Sequence, residues 1–166
     1  MKKELLTIAL LMLLIGALSG CILEGKGTLV VQITDAPPEL NIIEALVTIS
    51  NVDVHLIGTG WYTVVEEPQT FDLIALQDAQ EVLGSVNLSA GHYTQIRLYV
   101  ESAVVKIDDV VYNLTIPSKK VQLITPFKIE NNETTTLTLD FDVHKSVYST
   151  GNDQYKMKPT IKVIEE

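Results

Sequence analysis

At 166 residues the chain suits a single domain, and 21 acidic against 12 basic side chains leave a net charge of −9. With Arg97 as its one arginine and no basic pair after the N-terminal segment except Lys119-Lys120, the chain is a poor match for nucleic acid or anionic headgroups. The one cysteine, Cys21, excludes an internal disulfide, so the fold rests on an apolar core that a chain of this length can build.

Lys2 and Lys3 precede an uncharged run that opens at Leu5 and closes on Leu18-Ser19-Gly20-Cys21. A basic start, an apolar stretch and small residues before a cut are the parts of an export signal. The 14 residues from Leu5 to Leu18 fall short of the roughly 20 needed to cross a hydrocarbon core, although the run extends to Ile22. Cys21 stands where a lipobox places the residue that receives a diacylglycerol. An uncleaved anchor is the rival reading, and both put the bulk of the chain outside the cytoplasm. The expected organisation is a lipoprotein signal peptide over 1–20, a lipidated Cys21 and short tether over 21–26, and one domain over 27–166. Discounting Lys2, Lys3 and Glu4, the 146 residues from Cys21 onward carry 20 acidic and 10 basic side chains.

Beyond the tether, apolar and polar residues alternate in short runs broken by turn formers, which predicts an all-β domain. Strands are expected over Thr28 to Thr34, Ala45 to Leu56, Trp61 to Val65, His92 to Val100, Val104 to Ile107, Val110 to Leu114, Val121 to Ile129, Thr135 to His144 and Lys156 to Ile164. Nine antiparallel strands of this kind fold as a sandwich or a barrel. In the second strand the apolar phase shifts from Val47 and Ile49 to Val52, Val54 and Leu56, which predicts a β-bulge near Ser50-Asn51. Asp72 to Gln80 is expected to be one short helical piece. Asp108-Asp109 reads as a two-residue hairpin turn, although Asp-Asp is a weaker turn pair than Asp-Gly. Asn131-Asn132 reads as a second turn.

A set of short motifs runs through this pattern. They are Thr34-Asp35-Ala36-Pro37, Val52 to His55, Trp61, Phe71-Asp72-Leu73 with Leu76, Ala90-Gly91-His92-Tyr93 leading into Gln95-Ile96-Arg97-Leu98, Leu139-Asp140-Phe141-Asp142 with Ser146, and Lys158-Pro159. In order and spacing the chain resembles the domain of unknown function 4382 family, found in extracytoplasmic lipoproteins of archaea and bacteria. The resemblance spans Gly27 to about Ile164. It implies an antiparallel β-sandwich of the transthyretin-like or carboxypeptidase-regulatory kind, with Greek-key connections and no established activity. Asp108-Asp109 departs from the glycine-containing turn the resemblance leads one to expect.

Candidate chemistry is sparse. On the strand expected over Thr135 to His144, Asp140, Asp142 and His144 share the polar face, and Asp53 and His55 form a similar pair. Residues two apart on a strand lie about 6 to 7 Å apart, so one ion needs ligands from neighbouring strands. If the two strands were adjacent, Asp53, His55, Asp142 and His144, with Asp140 beside them, would suit a divalent metal. The competing reading is a solvated acidic face, as outer faces of antiparallel sheets ordinarily are. Asp35 is expected to organise its turn through backbone amides, with membership of a ligand site as the alternative. Trp61 is expected in the core; the alternative makes Trp61-Tyr62 a stacking platform for a sugar ring. Tyr93 is placed to make a corner hydrogen bond.

Asn87, Asn113 and Asn132 head glycosylation sequons. There is no G-x-S-x-G elbow and no cysteine other than Cys21. The expected function is therefore that of a membrane-anchored extracytoplasmic lipoprotein, a non-enzymatic module binding a protein or glycan of the cell envelope, with no cofactor. A divalent-metal-binding lipoprotein using the Asp and His stripes is the alternative.

Overall fold

The computed structural model describes residues 25–36 and 41–166. The signal segment, Cys21, and Pro37 and Pro38 lie outside these residues. Two sheets pack face to face around one apolar core. The first has the order β12-β9-β1-β5, with β1 (Lys26–Asp35), β5 (Glu81–Ser89), β9 (Thr134–Phe141) and β12 (Ile161–Glu165). The second is built on two long strands, β2 (Ile42–Leu56) and β6 (Gly91–Ile107), paired antiparallel. Each carries a divided outer edge: β3 (Gly60–Val65) and β4 (Gln69–Asp72) on β2, β7 (Val110–Asn113) and β8 (Lys120–Ile129) on β6. A separate hairpin of β10 (Val147–Gly151) and β11 (Gln154–Met157) flanks this sheet through a bridge between Thr115 and Lys156.

Alternation explains the inner faces. Leu29, Val31 and Ile33 of β1 and Leu137, Leu139 and Phe141 of β9 are fully enclosed, while their even-numbered neighbours, the buried Thr138 excepted, are at least partly exposed. The expected bulge in β2 is present. Its buried positions run Ala45, Val47, Ile49 and then Val52, Val54, Leu56, with the pairing to β6 slipping on either side of Ile49. The extra residue keeps both apolar sets on the core side, since a plain strand would have turned one of them to solvent.

The Asp108-Asp109 turn needs no glycine: both residues take positive φ, 47° and 65°, the conformation of a type I′ hairpin. Lys106 closes it with an ion pair to Asp109 at 2.9 Å. Asn152 and Asp153, at φ 53° and 54°, make the same kind of turn between β10 and β11. Tyr93 makes the expected corner bond, donating its hydroxyl to the Ser89 carbonyl at 2.9 Å across the β5–β6 corner and stacking on Phe127. Burial pushes its phenol up to about 12.

Four expectations are revised. β6 is one strand where two were expected, because Glu101 alone is skipped beside the β2 bulge and pairing resumes at Ser102, opposite Thr48. β5, with Gly84 and a weak alternation, was not expected at all. Phe71-Asp72 ends a short strand, and the helical piece shrinks to a 3-10 turn at Ile74–Leu76. The strand expected over Lys156 to Ile164 breaks at Pro159, which has no amide for a ladder. Within the largely antiparallel fold, β1 and β9 run parallel. No helix among the described residues is long and apolar enough to cross a membrane.

Two substitutions test this account. Tyr93→Phe removes a single hydrogen bond and leaves the Ser89 carbonyl without its hydroxyl donor, so it should cost about 1 kcal/mol in urea unfolding. Gly27→Ala should cost more, on the order of 1–3 kcal/mol, because its methyl would run into the backbone carbonyls of Glu130 and Glu133 and the fully buried side chain of Ile129.

Candidate functional site

Parallel pairing of β1 with β9 brings their C-terminal ends to the same end of the sandwich, which gathers most of the sequence motifs. Asp35 ends β1 and is only 2% exposed. Its Oδ1 accepts the amide of Val143 at 3.1 Å, while Oδ2 is enclosed without a hydrogen-bond partner. The expected turn role becomes a long-range one, joining positions 108 residues apart. Val143 begins α1 (Val143–Ser146), a single helical turn capped by Asp142, whose Oδ1 accepts the Lys145 amide at 3.0 Å. Ser146 is buried; its hydroxyl donates to the Asp142 carbonyl at 2.6 Å and accepts the Thr160 amide at 2.9 Å. Lys158 donates its amide to the Ser146 carbonyl, so Lys158-Pro159 is held by the same turn. Asp72 accepts the amides of Ala45 and Ile74, and Thr34 donates to the carbonyls of Leu76 and Ala79.

Burial pushes the Asp35 carboxyl up to about 7, with the carboxylates of Asp142 and Asp140 adding to the rise and the amides of Val143 and Ala36 opposing it. Asp142 moves the other way. A hydrogen bond from Lys145, whose Nζ lies 2.6 Å from Oδ2, holds it below the usual carboxylate range.

A second cluster occupies the outer face of the sheet built on β2 and β6. Trp61 is not in the core. It sits half-buried across from His55, ring centroids 4.9 Å apart, and the Arg97 guanidinium lies 3.5 Å from the centre of its ring. The reason is register: Val54 pairs with Tyr62 on the core side, so His55 and Trp61 take the outer side. Asp53 faces Arg97 across the ladder and accepts the Thr63 hydroxyl at 2.9 Å, and His55 Nδ1 lies 3.1 Å from the Thr94 hydroxyl. Next along this face, Gln122 donates to Gln95 at 2.7 Å, and Ile124 stands 78% exposed opposite Gln95. Sequence reasoning missed Arg97 and Ile124. The matching outward phase of Gln95, Arg97 and Tyr99 was the available signal.

The five residues expected to bind a metal are not brought together. Asp53 and His55 lie on β2, whose neighbours are β3, β4 and β6; Asp140 lies on β9, between β1 and β12. Asp142 is a helix cap and His144 lies within α1, so neither continues the face of β9. The two strands belong to different sheets because each buries its own inner face. Among the described residues no group of three or more His, Cys, Asp or Glu is disposed to hold a metal ion. The sequon residues Asn87, Asn113 and Asn132 are all exposed. Asn132 sits in the β8–β9 turn at φ 60°, and Asn87 accepts the Thr28 hydroxyl.

A family model described as Domain of unknown function (DUF4382) matches residues 26–159. The chain belongs to this family. In this DUF4382 domain, the motif residues Asp35, Asp72, Asp142 and Ser146 serve hydrogen bonds that hold the fold. No curated protein matches the chain. A solved structure from Bacteroides ovatus ATCC 8483, whose description as a cell adhesion protein is itself provisional, aligns at 10% identity with a TM-score of 0.23. The alignment covers 84% of this chain and 44% of the other, so this chain spans less than half of its length. Similarity at that level carries no argument.

Asp35 has a pH signature. Its folded pKa is raised, so between about 4 and 7 the folded state holds a proton that the unfolded state has lost. The stability it contributes is complete below about 4 and is lost as pH rises through about 7. Asp35→Asn keeps the oxygen that accepts the Val143 amide and cannot ionise. Urea midpoints at pH 5 and pH 8 should differ less in this variant than in the native protein.

Proposed function

We propose that the protein is a lipid-anchored extracytoplasmic module that binds a protein of the cell envelope and performs no chemistry of its own. The contact surface is the outer face of the β2–β6 sheet around Trp61, Arg97 and Ile124. The observation that carries this is an aromatic and an arginine stacked on each other outside the core, with a widely exposed isoleucine on the same face. Tryptophan and arginine are the residue types most enriched where protein interfaces concentrate their binding energy. Arg97 already covers one face of Trp61, which favours a protein partner over stacking by a sugar ring.

The anchor rests on Lys2 and Lys3, the apolar run to Leu18 and the Leu-Ser-Gly-Cys ending at Cys21. Cys21→Ser should move the protein from the membrane fraction to the soluble one, and the intact mass should lose the acyl chains.

The binding face is tested with a photo-crosslinking residue at Ile124 in cells, with Val82 as the control. Val82 is 55% exposed on β5, in the other sheet. Adducts with a discrete protein are expected at Ile124 and not at Val82, and Trp61→Ala with Arg97→Ala should abolish them. Polysaccharide adducts would make the partner a glycan. Equal yields at both positions would remove this face as the site.

A further inference from the structure

The antiparallel sandwich has two unlike ends. One is formed by the turn at Ile57 to Gly60, the β5–β6 corner at Ala90 and the β8–β9 turn at Glu130 to Glu133. The other carries Asp35, α1 and the hairpin turn at Asp108-Asp109. The chain enters at the first end. The Gly25 carbonyl accepts the Ala90 amide at 2.7 Å, and the Lys26 carbonyl accepts the Asn132 amide at 2.8 Å. β1 is an inner strand of its sheet, so the entry point lies within this end and not at its rim.

We infer that this entry end rests against the lipid surface and that the domain stands end-on to the bilayer. The inference depends on the acylation of Cys21 proposed above. Four peptide units separate Cys21 from Gly25 and reach at most about 14 Å when fully extended. β2 alone, at 15 residues and about 3.3 Å each, is roughly 45–50 Å long. The tether is too short for the far end to reach the membrane. Lying flat on the outer face of the β1 sheet is within its reach, but there Val30, Val82 and Ile164 are interspersed with Gln32, Asp140 and Lys162, and sinking that face into lipid would take those polar and charged groups out of water. The entry end offers Ile57, 59% exposed at the tip of the β2–β3 turn. Its carboxylates, Glu130 and Glu133, oppose an anionic surface over about one Debye length, so the covalent lipid supplies the attachment. End-on, both outer sheet faces stand along the membrane normal, and the Trp61–Arg97 face is open to a partner from the side.

The test uses the full acylated protein in phosphatidylcholine vesicles that carry a headgroup-linked acceptor dye. Donor dyes are placed singly at Thr59→Cys, Ser85→Cys and Val110→Cys, reporting the entry end, the outer face of the β1 sheet and the far end. Energy transfer from position 59 should exceed that from 110 several-fold, with 85 between them. Transfer from 85 equal to that from 59 would mean a flat domain and overturn the orientation, as would transfer from 110 at or above 59. The intact mass is read on the same samples. Acylated protein with the wrong ranking refutes the orientation alone, whereas protein without acyl chains refutes the lipoprotein reading and the orientation with it.

Discussion

The hydrogen bond from the Val143 amide to the Asp35 carboxyl is the constraint on which one end of this fold depends. β1 and β9 lie parallel, and parallel neighbours share no hairpin to set their register. Here it is set at both ends by bonds from outside the ladder. At the entry end Thr28 donates to Glu133 and Asn132 to Lys26; at the far end Ala36 donates to Phe141 and Val143 to Asp35. A buried carboxyl with one oxygen unpartnered is a costly way to do this, and the raised proton affinity of Asp35 expresses that cost. In return, the chain leaving β9 is turned at once into α1, where Asp142 and Ser146 hold it beside Thr160 and deliver β12 to the far side of β9.

The second sheet is organised differently. Its two long strands pair along most of their length, and each outer edge is shared by two shorter strands. Short, interrupted edges offer little continuous backbone to another chain. The bulge in β2 lets one strand serve both halves of this sheet. On either side of it the outward residues differ in kind: Thr48 bonded to Thr70 toward the far end, and the Asp53, His55, Trp61 and Arg97 cluster toward the end where the chain enters.

The motifs were easy to find and hard to interpret. Asp35, Asp72 and Asp142 have the residue type of a reactive or ligating site. In the structure each accepts a backbone amide at a chain reversal, because a short carboxylate meets orphaned amides well. His144 shows the same limit. Alternation carried it onto the face of Asp140 and Asp142, but the strand ends at Phe141, and a helical turn rotates everything after it. Trp61 was expected inside on composition alone. Its position follows from pairing with His55, which becomes visible only once the Ile57 to Gly60 turn fixes the register of β2 on β3.

Local chemistry by itself determined the all-β class, the bulge in β2, the two-residue turn at Asp108-Asp109 and the corner bond of Tyr93. Each depends on residues close in sequence and on which side of a strand is apolar, and both can be read from a period of two. The parallel neighbours of β1, the separation of His55 from His144 into different sheets, and the outward stack of Arg97 on Trp61 were decided only by the tertiary structure. Those features depend on which strands lie side by side, and an alternating pattern is satisfied equally well by many strand orders. The choice among them comes from the sum of long-range packing and a few buried hydrogen bonds.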